Sequence, residues 1–254
     1  MSRMTREPQV RIRIVGVLVA IAAPSLAALV SIPTAQGAKA PVVFHINSPE
    51  GGETVPGPDV EVIFTLENYN VFFDSTTKKG QHIHFILDNQ PYVPHFKTEP
   101  YLLKNVAPGT HTIRAFPSRA WHESIKDPTA FSMVTFNVQK ADGKNSPKRK
   151  APLLTYSRPK GDYYGHQTDS ILVDYWVKNC KIGPKAYKVR LTVDGKPEVL
   201  TRWQPLWKTG LGMGPHEFSL ELLDRRGRPV PGPFNKTTRV INLKPDTTAA
   251  EMHH

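Results

Sequence analysis

A single cysteine, Cys180, stands in 254 residues. One thiol excludes an internal disulfide framework and a cysteine-built metal site. Apolar stripes at helical spacing are also missing beyond residue 37. The 24 prolines fit that absence, because proline costs about 3 kcal/mol inside a helix. No second apolar run matches the length of the one at Ile14–Ile32. There is no nucleophile elbow and no nucleic-acid recognition motif. Acid is scarce: 22 Asp and Glu face 33 Lys and Arg, a net charge of +11. The apolar fraction of 39% is too high for a chain that is mainly disordered. The length suits two small domains of ~100–150 residues each.

The first 37 residues have the build of an export signal. Arg3, Arg6, Arg11 and Arg13 precede the uncharged run Ile14–Ile32, and the small residues Ala35, Gly37 and Ala38 follow. A basic segment, an apolar segment and small residues in that order are recognised by signal peptidase. The run is also long enough to span a bilayer as an uncleaved anchor. Either way the remainder is expected outside the cytoplasm. No cysteine near the cleavage region suggests a lipoprotein.

An internal repeat organises what remains. Gly80–Pro91 aligns with Ala186–Pro197, and Val106–Ile113 aligns with Leu211–Phe218. Ser48-Pro49-Glu50-Gly51 resembles Arg158-Pro159-Lys160-Gly161, and Leu66-Glu67-Asn68 resembles Val177-Lys178-Asn179. Within each copy, apolar residues alternate over short runs: Val60 to Leu66, then Ile83, Phe85 and Leu87, then Ile113 and Ala115, then Val134, Phe136 and Val138. Period-2 alternation punctuated by Gly, Pro, Asn and Asp reads as antiparallel strands. Asp88-Asn89 and Asp194-Gly195 are turn dipeptides. The expected fold is all-β, with two tandem immunoglobulin-like or fibronectin-III-like sandwiches. They are expected over residues 41–138 and 151–243, joined by a basic, flexible linker at 139–150 and followed by a frayed tail at 244–254.

Pro108-Gly109-Thr110-His111-Thr112-Ile113-Arg114 resembles the turn-to-strand entry of bacterial Ig-like modules in exported proteins. Gly80–Asp88 and Phe116–Ser124 are similar to stretches of exported bacterial proteins with no assigned activity. The resemblance implies the sandwich fold over nearly all of the mature chain. It implies no catalysis, since such folds carry many unrelated functions.

Charge separates the copies. Residues 41–138 hold seven Lys and Arg against ten Asp and Glu; residues 151–243 hold fifteen against eight. The linker adds five cations against one acid. Lys188 and Arg190 share one face of a strand, and with Lys148, Arg149 and Lys150 they are the candidate residues for a polyanion. Partners of that chemistry are acidic envelope polysaccharide, an anionic lipid surface or another envelope protein. Export argues against nucleic acid.

Histidines separate them too. The acidic copy holds His45, His82, His84, His95, His111 and His122; the basic copy holds His166 and His216. On a strand, His82-x-His84 places two imidazoles on one face, a spacing that grips Cu or Zn. Ile83, Phe85 and Leu87 match Val189, Leu191 and Val193 and face the core, so His82 and His84 are expected outward, where the other copy carries Lys188 and Arg190. His111, matched by His216, is expected to be structural and bonded to the preceding turn. The stretch Phe116–Ser124 has no counterpart in the second copy and offers His122 as a third ligand. His95 and Glu123 are the candidates to complete the set. Trp176 reads as core. Trp203 and Trp207, four apart near Arg202 and Lys208, are candidates for stacking on a glycan or for packing across the domain boundary.

These residues support an exported, non-catalytic binding or structural module of the cell envelope. The alternative is a periplasmic copper- or zinc-binding protein using the first domain, and the third reading is a metal-dependent hydrolase.

Overall fold

Residues 40–246 are described by a computed structural model. The leader assigned to residues 1–37 and the end of the tail lie outside them. Strands form where the sequence alternates. In Val60–Glu67, Val60 and Val62 are buried while Glu61 and Glu67 are exposed. The first copy contains β1 (Val43–Ser48), β2 (Thr54–Val55), β3 (Val60–Glu67), β4 (His82–Leu87), β5 (Val93–His95), β6 (Tyr101–Leu103), β7 (Gly109–Ser118) and β8 (Ser132–Val138). The second contains β9 (Leu153–Arg158), β10 (Gly161–Tyr164), β11 (Ser170–Lys178), β12 (Lys188–Val193), β13 (Lys196–Leu200), β14 (Leu206–Thr209), β15 (Gly214–Leu223) and β16 (Lys236–Lys244).

The repeat is complete at the level of topology. One three-stranded sheet has the order β1-β3-β6 and its counterpart β14-β11-β9, the same order reversed. The five-stranded sheets run β2-β8-β7-β4-β5 and β10-β16-β15-β12-β13. The short strands β2 and β10 pair in parallel with β8 and β16, and the other pairings are antiparallel. Two such sheets, face to face, make each copy an Ig-like sandwich. Phe44, Val62, Ile83, Phe85, Ile113 and Phe136 fill the first core. Tyr156, Val173, Val189, Leu191, Phe218 and Ile241 fill the second.

The conserved turn carries a clamp in both copies. Asp88 Oδ2 meets His111 Nδ1 at 2.7 Å, and His111 Nε2 meets the Ala107 carbonyl at 2.8 Å. Asp194 and His216 repeat this at 2.7 Å, with His216 Nε2 2.7 Å from the Gly212 carbonyl. Both aspartates also accept a backbone N–H from the facing strand. His111 and His216 therefore tie a hairpin to the next turn, as the sequence suggested.

The connecting segment is tied down rather than flexible. Asp142 accepts the Thr110 N–H, Thr112 donates its hydroxyl to the Asn145 carbonyl, and Asn179 donates to the Arg149 and Ala151 carbonyls. Its anchors are the Asp142 carboxylate and the backbone carbonyls of Asn145, Arg149 and Ala151.

The two sandwiches pack against each other through a third apolar cluster: Val42, Ile86, Tyr92, Phe116, Ala130, Phe131 and Trp176. Polar groups lock the seam. Arg114, fully buried, donates to the Leu154 carbonyl, to Thr155 Oγ1 and to the Asp88 carbonyl, and its guanidinium lies 4.1 Å from the centre of the Phe234 ring. Asp174, also fully buried, accepts from Ser124 Oγ at 2.6 Å and from Lys126 Nζ at 2.5 Å. Removing one partner of such a pair strands the other, at about 3–5 kcal/mol. Asp174→Ala is therefore expected to lower the unfolding free energy by about 3 kcal/mol, read by urea denaturation. Exposed Glu61→Ala, run beside it, is expected to change it by less than about 0.5 kcal/mol.

Candidate metal centre

In β4 the odd residues Ile83 and Phe85 enter the first core, so His82 and His84 project from the other face. That face is not solvent. The sequence reading placed both imidazoles outward; they do point away from their own core, but both are fully buried, His82 against Phe96 and His122 of its own copy and His84 against Ser157 of the second. The pairing β4–β7 sets His82 opposite Ser118 and His84 opposite Phe116. Just beyond, the chain reverses. Arg119 N–H donates to the Glu123 carbonyl, His122 N–H donates to the Arg119 carbonyl, and a bridge joins Ser118 to Ser124. His122 takes φ of 71°, a left-handed conformation that asparagine or glycine adopts more cheaply. The turn swings its imidazole back over β4.

Three ring nitrogens converge. His82 Nε2 lies 2.9 Å from His84 Nε2 and 3.1 Å from His122 Nδ1. All three lie within 4.8 Å of one another. The Tyr92 hydroxyl sits 3.1 Å from His122 Nδ1, and the Tyr92 ring stacks on His84 at 3.5 Å. His82 Nδ1 faces the Gly80 carbonyl at 2.7 Å. A carbonyl only accepts, so His82 carries its proton on Nδ1 and offers a lone pair at Nε2. His84 Nδ1 meets Ser157 Oγ of β9 at 3.2 Å. A serine hydroxyl donates or accepts, so His84 can move its proton to Nδ1 and present a second lone pair at Nε2. Partners at the far nitrogens are what orient imidazole ligands. Gly80 is needed for this: a Cβ there would lie 1.8 Å from the Phe72 carbonyl oxygen.

Burial keeps the three rings neutral. His82 is pushed down to about 4 and His122 to about 2, first by desolvation and then by nearby cations, Arg158 and Lys160 among them. Desolvation also holds His84 well below the usual imidazole range. Neutral imidazole is the metal-binding form.

His95 and Glu123 do not join the set. His95 pairs with Ile83 across β4–β5, on the core side, where its ring packs near Phe64, Phe85 and Tyr101 and Nε2 meets the Glu99 carbonyl. Glu123 accepts from Trp121 Nε1 at 2.9 Å and faces Arg119. Among the other candidates, Lys188 donates to the Ala186 and Arg225 carbonyls, and Arg190 pairs with Glu221 at 2.8 Å. Lys148, Arg149 and Lys150 are exposed. Trp176 is buried in the seam cluster rather than in the second core. Trp203 packs on it at 4.7 Å and donates to the Tyr175 carbonyl, while Trp207 is half exposed on β14. Trp203 is thus committed to packing and leaves Trp207 without a stacking partner from that pair.

The sequence reading missed Tyr92, Ser157, Arg158 and Lys160. A signal was present: Ile86 and Phe116 share the parity of His82 and His84 yet are apolar, which marks a strand buried on both faces.

No known family model matches this sequence, and no curated protein is similar to it at a significant level. Solved structures similar to it include the fibronectin(III)-like modules of CbhA from Clostridium thermocellum: 16% identity, 84% of this chain, 97% of that chain, TM-score 0.29. The central fibronectin-III array of RIM-binding protein is 10% identical over 82% of this chain and 70% of that one, TM-score 0.26. SGBP-B of the mixed-linkage glucan utilization locus of Bacteroides ovatus, solved with a mixed-linkage heptasaccharide, is 9% identical over 80% and 70%, TM-score 0.25. The strand order and pairing described above define the tandem sandwich class on their own. Among the described residues no helix is long and apolar enough to cross a membrane.

The depressed imidazoles predict acid sensitivity of the metal-free protein. In the unfolded chain these histidines take up protons near pH 6.5; in the folded chain they do so only near pH 4 or below. Between those values the unfolded state binds more protons, so stability is full above about pH 6.5 and falls as pH drops toward 4. Each such group contributes a slope of about 1.4 kcal/mol per pH unit. Denaturant midpoints measured from pH 7.5 to 4.5 are expected to fall steeply, and His122→Asn is expected to flatten that slope.

Proposed function

We propose that this chain is an exported, non-catalytic protein that binds one transition-metal ion, copper or zinc, at His82, His84 and His122. One observation carries the reading: three neutral imidazole nitrogens, two from one strand and one from a turn held at positive φ, converge in a buried seam. Two nitrogens bound tetrahedrally at about 2.0 Å to one ion lie ~3.3 Å apart. The His82–His84 and His82–His122 spacings, 2.9 and 3.1 Å, are within a few tenths of that, and all three nitrogens lie within 4.8 Å of one another. The order of basic, apolar and small residues in 1–37 supports export. Hydrolysis is not favoured, because the acids near the turn are engaged, Glu123 by Trp121 and Arg119 and Asp174 by Ser124 and Lys126, and neither is placed as a general base.

The repeat supplies an internal control. The second copy carries Lys188 and Arg190 at the positions of His82 and His84 and keeps the same sheet order. The sandwich does not need imidazole there. A second reading, capture of an acidic polysaccharide or anionic surface, is supported by Lys148, Arg149 and Lys150, which form no ion pair among the described residues.

Elemental analysis of untagged protein after Cu or Zn titration and desalting is expected to give about one ion per chain. The His82→Ala/His84→Ala variant is expected to retain less than a tenth of that while keeping its far-ultraviolet circular dichroism. Absence of metal from the folded wild-type protein overturns the reading.

A further inference from the structure

The donor set alone does not choose the ion, because imidazole suits copper and zinc alike. The charge around the site distinguishes them. Among the described residues no carboxylate and no thiol joins the three imidazoles. Besides the neutral Ser157 at His84 Nδ1, the groups that approach them from the second sandwich are the cations Lys160 and Arg158. Lys160 Nζ lies 4.1 Å from the centre of the Tyr92 ring, the ring that stacks on His84, and Arg158 lies 5.5 Å from the same centre. Neither cation has an acidic partner: Lys160 Nζ donates to the Tyr92 carbonyl and Arg158 to the Tyr163 hydroxyl. Their repulsion on a bound ion scales with the ion's charge and is poorly screened in a buried seam. A dication therefore meets twice the repulsion that a monocation meets. Zinc takes four ligands, so three imidazoles hold it only with a water or another oxygen in the fourth position. The other side-chain oxygen against these nitrogens is the Tyr92 hydroxyl, 3.1 Å from His122 Nδ1. Three neutral nitrogens with no counter-charge match a d10 monocation, which is satisfied by three ligands.

We propose that the centre is built for monovalent copper, held by His82, His84 and His122, and that Lys160 and Arg158 select against divalent ions. This rests on the metal reading above and names the ion within it. The two cations act on the ion through space and touch none of the three liganding nitrogens. They belong to the stretch Arg158-Pro159-Lys160-Gly161, the counterpart of Ser48-Pro49-Glu50-Gly51 in the first copy. The copies thus differ at this corner by two positive charges and the loss of one acid. The same corner of the second sandwich lies over the histidine-bearing face of the first.

The test is competition. Wild-type protein is titrated anaerobically with Cu(I) against a chromophoric Cu(I) chelator, and separately with Zn(II) against a Zn(II) chelator. Lys160→Gln is titrated in the same way, with circular dichroism and thermal melting as controls of folding. Expected are one Cu(I) per chain, weaker binding of Zn(II), and a Zn(II) affinity that rises about tenfold or more in Lys160→Gln while that for Cu(I) rises less. If Zn(II) binds the wild-type protein as tightly as Cu(I), the assignment to monovalent copper is overturned and the metal centre stands. If folded Lys160→Gln leaves the Cu(I)-to-Zn(II) ratio unchanged, selection by charge is overturned. If neither ion binds folded wild-type protein, the metal reading itself falls. Should Lys160→Gln fail to fold, the wild-type comparison and Arg158→Gln still decide.

Discussion

The rest of the structure depends on the burial of one sheet face. The five-stranded sheet of a lone Ig-like sandwich has an inner face in the core and an outer face in water. Here the outer face of β4 and β7 is covered by the second copy, and Ile86, Phe116, Tyr92 and Trp176 form a core of their own. Every polar group on that face then needs a partner, because an unpaired buried donor or acceptor costs about 1–3 kcal/mol. Arg114 meets carbonyls of both copies, Asp174 meets Lys126 and Ser124, and His84 meets Ser157. The seam thus combines an apolar cluster with polar side chains, several of which are paired across the copies.

That constraint gives the histidines their chemistry. An imidazole on an exposed strand is half protonated near pH 6.5 and gives metal no special site. Under the second sandwich it loses water, stays neutral and is fixed at its far nitrogen. The Gly80 carbonyl does this for His82 from within the first copy, and Ser157 does it for His84 from the second. Half of the orienting groups therefore come from the covering domain, so the centre is complete only when the copies are docked. The positive φ of His122 points the same way. A backbone position that asparagine or glycine occupies at less cost is filled by a histidine whose Nδ1 reaches His82 Nε2 at 3.1 Å.

The strands were legible because alternation and turn dipeptides act over a few residues. The pairing of His82 with His84 was legible for the same reason, since a strand repeats every two residues. His122 was legible by subtraction, as the loop absent from the second copy. The cover was not. Ser157 lies 73 residues from His84, and no local rule connects a serine in one repeat to an imidazole in another. Exposure was misjudged because Lys188 and Arg190 fill the equivalent positions, and those strands are covered differently. His95 was misjudged by parity: its strand pairs it with Ile83, which turns it to the core, but the register of a three-residue strand after a proline turn is not written in its own residues.

The two copies keep one device and diverge at another. The Asp–His clamp is present in both, at 2.7 Å in each, because each hairpin must be fastened to its neighbouring turn whatever the domain does. The face that carries His82 and His84 has no such duty, and it is where the copies differ most: imidazoles in one, Lys188 and Arg190 in the other. The second sandwich lies against that face and presents Arg158 and Lys160 there. The packing that supplies Ser157 to His84 thus also supplies the positive charge, and the sign of the field at the three nitrogens follows from which face of the second copy does the covering.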